Sequence, residues 1–135
     1  MTEELIKKAE AYTNEEIDSL IENDERGIKY KDSFDIIYYE YGNAFYGSYK
    51  GMRYRIARNP LENVFFKPKD QKGDGTLDAT VWPEPKAYDK TADELKKVES
   101  FPFSRNGKYA LIEWLNEQYE SRKNEWEDAL NNFNA

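Results

Sequence analysis

Hydrophobic spacing changes twice along this chain, from helical at both ends to short β-rich runs between them. That double change limits the fold more than any other feature of the sequence. Near the start, Leu5, Ile6, Ala9, Tyr12, Ile17, Leu20 and Ile21 recur at steps near three and four, the helical period. Thr13-Asn14-Glu15-Glu16 has the form of a capping box, so the spacing predicts two helices, Glu3 to Ala11 and Asn14 to Glu25, with Gly27 as the stop. Near the end, Leu111, Leu115, Tyr119, Trp126, Leu130 and Phe133 form one stripe with Arg122 in its single gap, which predicts a helix from Lys108 to Asn131.

Between them, β-branched and aromatic residues lie between turn formers and predict five short strands. These are Phe34 to Tyr41, Ala44 to Tyr49, Met52 to Arg58, Glu62 to Lys67 and Leu77 to Trp82. Connections this short favour an antiparallel meander, and the prolines of Trp82-Pro83-Glu84-Pro85 end it. Thr91-Ala92-Asp93-Glu94 opens at most a short helix through Val98, broken at Ser100 to Ser104. The expectation is one α+β domain over residues 1–135, its sheet covered on one face by the N-terminal helices and the C-terminal helix. With 135 residues there is room for one ordinary core and little more.

Two-residue turns at Gly42-Asn43 and Lys50-Gly51 would set the register of the first three strands. Tyr39 then faces Tyr46 and Tyr46 faces Arg55, while Ser48 faces Arg53. Because side chains alternate along a strand, Ile37, Tyr39, Tyr41, Tyr46, Ser48, Arg53 and Arg55 share one face. Ile36, Tyr38, Phe45, Tyr49, Met52, Tyr54 and Ile56 share the other, which should meet the helices. Tyr39, Tyr46, Ser48, Arg53 and Arg55 are the candidate binding residues, since arginine stacks on tyrosine and still donates to phosphate or carboxylate. The alternative is a solvated sheet face. Register also puts Glu40 on the inner face, where it would pair with a base or act as one.

Neither Cys nor His occurs, which excludes disulfides, thiolate zinc sites and every nucleophile activated by imidazole. No catalytic residue is assigned and no cofactor is expected, because Gly47, Gly51, Gly73 and Gly75 form no phosphate cradle. Asp70 to Asp78 is similar to the start of an EF-hand calcium loop, with Asp70, Asp74, Gly75 and Leu77 in place. It departs from that pattern where Lys72 takes a ligand position and Val81 replaces the bidentate Glu. A hairpin turn accounts for the same residues, and only weak divalent binding by Asp70, Asp74 and Asp78 is expected. The aromatic segments Trp82 to Tyr88 and Phe101-Pro102-Phe103 read either as recognition loops or as covers for the core edge.

Charge is unevenly spread. Residues 1–42 carry 5 basic and 12 acidic side chains, residues 43–73 carry 7 and 2, and residues 74–135 carry 8 and 13, for a net −7 overall. A net acidic chain is a poor non-specific binder of nucleic acid. No signal peptide or membrane-length apolar run is present, so a cytoplasmic protein is expected. Two functions lead, with a hydrolytic enzyme using only carboxylates as a third. One is a non-enzymatic module that docks on another protein, in the manner of an inhibitor whose acidic helices compete for the basic channel of a nucleic-acid enzyme. Phage anti-CRISPR and anti-restriction proteins offer an analogy of that kind. The other is a binder of a small anionic or nucleotide-like ligand on the Tyr/Arg face. A concave face and acidic helices interrupted by Lys would favour the second.

Overall fold

Among the described residues, four antiparallel strands in the order β1-β2-β3-β4 form the sheet, with β1 Ala44–Tyr49, β2 Met52–Asn59, β3 Thr76–Pro83 and β4 Lys97–Pro102. The computed structural model describes residues 2–61 and 75–133, with side chains through Asn131. The expected strand Glu62 to Lys67 and two loop carboxylates, Asp70 and Asp74, lie outside the described residues. Helices α1 Thr2–Glu10 and α2 Asn14–Glu22 precede the sheet. The Thr13 capping box forms in both directions, at 3.1 Å from the Glu16 amide to the Thr13 hydroxyl and 3.0 Å from the Thr13 amide to the Glu16 carboxylate. The stop comes at Asn23, ahead of Gly27.

The first expected strand is absent. Tyr30–Ser33 is a 3-10 turn and Ile36–Glu40 is α3, capped by the Asp35 carboxylate on the Ile36 amide at 2.7 Å. Composition favoured a strand here, but the Asp35 cap and burial of Tyr39 outweigh that local preference. With no strand before it, Gly42-Asn43 links α3 to β1 and is not a hairpin turn. Glu40 therefore ends a short helix, half-buried, and has no place on the inner sheet face.

The second hairpin matches its expected register: Tyr46 faces Arg55 and Ser48 faces Arg53. Its turn residues Lys50 and Gly51 both have positive φ, 48° and 97°, the signature of a type I′ turn. A Cβ on Gly51 would lie 2.0 Å from the Trp126 carbonyl oxygen, so the turn sits directly on helix backbone. Gly51→Ala should cost about 2 kcal/mol in urea unfolding, from left-handed strain together with this contact. An unchanged midpoint would mean the turn is not seated there.

Instead of the expected helix through Val98, a single 3-10 turn at Asp93–Leu95 leads into β4. Phe101 pairs with Leu77 across β3 and is buried. Completing the open edge of β3 satisfies a row of backbone groups that a short helix would leave unpaired. The last helix is divided at Arg122 into α4 Arg105–Ser121 and α5 Lys123–Phe133. Leu111, Leu115, Tyr119 and Trp126 are buried as the stripe predicts, and Leu130 is partly exposed.

Helices α4 and α5 lie on the sheet, and α1 and α2 pack against α4. Met52, Tyr54, Ile56, Leu77, Ala79 and Val81 supply the sheet side of one core, with Phe45 and Tyr49 packed against it. Among the described residues, no helix is long and apolar enough to cross a membrane.

Candidate functional site

On the opposite face of the sheet two cross-strand rows run side by side. One is Tyr46, Arg55 and Thr80; the other is Ser48, Arg53 and Trp82. Of the expected binding residues, Tyr46, Ser48, Arg53 and Arg55 are thus brought together. Tyr39 is not. It is fully buried in α3 with its hydroxyl donating to the Ser33 carbonyl, and burial pushes its phenol well above the usual tyrosine value. Ile37 and Tyr41 leave the platform with it, exposed beside α3.

The face is concave because the chain after β3 turns back over it. Trp82 Nε1 donates to the Lys86 carbonyl at 2.8 Å, the Glu84 amide to the Gly51 carbonyl at 3.0 Å, and the Thr91 hydroxyl to the Ala87 carbonyl at 2.8 Å. These bonds hold Tyr88 5.5 Å from Trp82 and 6.3 Å from Tyr46, ring centre to ring centre. The result is a groove of about 730 Å³ lined by Tyr46, Gly47, Ser48, Arg53, Trp82, Ala87, Tyr88 and Asp89. That volume suits a small molecule. The Trp82 to Tyr88 segment walls the groove, with its tryptophan buried on the face opposite the helices and not at the core edge beneath the last helix.

Each cation at the groove is held in its own way. Arg55 lies 4.7 Å from the Tyr88 ring and 5.8 Å from the Tyr46 ring, and its Nε donates to the Tyr46 hydroxyl at 3.1 Å. Lys96 adds a second cation 4.2 Å from Tyr88. Arg53 is different, because Glu84 takes its Nε at 2.6 Å while its terminal nitrogens make no hydrogen bond to a described residue. Such a guanidinium, oriented by one carboxylate and open at its other end, is ready for a bidentate anion. Tyr46 is 57% exposed, which leaves ring surface open for a flat ligand.

The long connection from β2 to β3 hides the register of Trp82 in the sequence. Once Arg53 is paired with Trp82, the tryptophan falls on the platform face, and the following loop must pass over it. The third candidate metal ligand, Asp78, spends both oxygens internally, on Asn59 Nδ2 at 3.1 Å and Thr76 Oγ1 at 2.7 Å. Among the described residues, no group of three or more potential ligands is placed to hold a metal ion.

A second unusual group escaped sequence reading altogether. Lys108 is fully buried at the start of α4, with Nζ donating to the Tyr30 carbonyl at 2.8 Å and to the Phe34 carbonyl. Its ammonium also lies 3.9 Å from the centre of the Tyr30 ring. Phe34, at φ 65°, directs a strained backbone toward it. Burial pushes the Lys108 amine down to about 7, against the opposing pull of Asp35 and Asp32. It is a tie between α4 and the α2 to α3 connection, away from the groove.

Comparison with family models, with curated proteins and with solved structures finds no match to this chain.

Proposed function

We propose that the chain binds a small anionic ligand bearing a flat ring, seated in the groove between Tyr46, Trp82 and Tyr88 with its anion on Arg53. The observation that carries this reading is Arg53, paired through Nε with Glu84 and lining an aromatic-walled groove. The concavity supports it, and so do the helical surfaces, where Lys123 pairs with Glu120 and Arg122 with Glu125, interrupting the acidic faces.

Calorimetry with nucleoside monophosphates tests it. Arg53→Ala and Tyr46→Ala are each expected to weaken binding by about 2 kcal/mol, near thirtyfold, with thermal stability nearly unchanged in Tyr46→Ala. Affinity that is indifferent to both substitutions would overturn the reading. Docking on a protein partner is the second reading, favoured by Phe34, Ile37 and Tyr41, which are each more than half exposed around α3.

A further inference from the structure

The groove is lined by an anion, Asp89, as well as by the cation Arg53. Asp89 lines it immediately after Tyr88, within the 3-10 turn Tyr88–Lys90, and is exposed. The turn is fixed at its base, where the Lys90 amide donates to the Ala87 carbonyl at 3.0 Å and Thr91 and Trp82 tie down its two ends. The backbone that carries Asp89 is therefore tied into the groove wall beside Tyr88 and Trp82.

A ligand with nothing but negative charge would leave Asp89 repelling it. A ligand whose ring edge donates hydrogen bonds turns that repulsion into selection. A carboxylate presents two acceptor oxygens and no donor, so its complement is a pair of neighbouring N–H groups. Guanine has such a pair at N1 and N2, whereas adenine sets a bare acceptor nitrogen beside its amino group, and that acceptor would face a carboxylate lone pair. We infer that Asp89 selects the ring of the ligand, and that the groove takes a guanosine monophosphate, with phosphate on Arg53 and the N1–N2 edge on Asp89. The inference rests on the reading of the groove as a site for a flat-ringed anion. Polar selection of this kind exceeds what apolar contact alone supplies.

The test is calorimetry of the full chain with GMP, AMP and inorganic phosphate, repeated on Asp89→Asn. GMP should bind about tenfold more tightly than AMP. Asp89→Asn should bring the two within about threefold by weakening GMP alone, because the amide keeps one acceptor and places a donor beside it. Equal affinities in the unaltered chain, or a preference for GMP that survives Asp89→Asn, would overturn the assignment of Asp89. If in that case Arg53→Ala still weakens both nucleotides, the groove remains the site and only its selectivity is misassigned. If neither nucleotide binds, the groove reading falls with it.

Discussion

Trp126→Ala is expected to destabilise the protein by about 3 to 5 kcal/mol, the range for deleting a large aromatic from a closed core. The side chain is fully buried, its Nε1 donates to the Gln118 carbonyl at 3.1 Å, and the Arg122 guanidinium lies 4.3 Å from its ring. Trp126 thus ties α5 to α4 across the break at Arg122. Its own carbonyl is the surface against which Gly51 must close. Removing the ring leaves a cavity and frees the seat of the β1–β2 turn together. Urea unfolding with an unchanged slope measures the loss. A cost below about 1 kcal/mol would show that α5 is not anchored through this residue. The groove is on the other face of the sheet, so ligand affinity under native conditions should survive the substitution.

Stability should rise by about 3 kcal/mol between roughly pH 7 and pH 9.5, an unusual direction for an acidic protein. The sign follows from Lys108. Burial holds its folded-state value down to about 7 from an ordinary 10.5, so over this window the unfolded chain binds the extra proton and folding is favoured as protons are withdrawn. As pH falls through 7 the folded protein must carry a buried ammonium, and the gain is gone. The rise ends near pH 10, where burial works in the opposite sense on phenols. Tyr54 is pushed up to about 12, and Tyr30, buried and hydrogen-bonded to Asp35, is pushed higher still. Unfolded tyrosines ionise first and stability declines. Chemical denaturation at a series of pH values reads the curve directly, and Lys108→Met should flatten it below pH 9.5. A wild-type curve that is flat from pH 7 to 9.5 would mean the amine stays fully charged in the fold.

What the sequence revealed and concealed follows from the range of the interactions involved. The Thr13 capping box, the β1–β2 register and the α4 stripe depend on residues a few positions apart, and periodicity or turn chemistry displays them. The α3 segment was hidden because Ile36 to Tyr41 reads as strand by composition, while its state is decided by Asp35 and by the place Tyr39 finds in the core. For β4 the deciding factor was a partner edge contributed by β3, twenty residues earlier. Half of the site was legible for the same reason. Tyr46, Ser48, Arg53 and Arg55 come from one hairpin, but Trp82, Tyr88 and Asp89 reach them only through a strand pairing that spans the long β2–β3 connection. Lys108 left no local trace, since its acceptors are carbonyls far away in sequence.

Three tryptophans make the central claim directly measurable. The Trp82 indole N–H is tied to the Lys86 carbonyl in the groove wall, while Trp126 and Trp114 are buried in the helix-covered core. In a nitrogen–proton correlation spectrum titrated with GMP, the Trp82 indole signal and the amides of Gly47, Ser48, Ala87 and Asp89 should move together along one saturating curve, with the Trp114 and Trp126 indoles still. Shifts centred elsewhere, or no shift at the Trp82 indole at millimolar nucleotide, would contradict the assignment of the groove as the binding site.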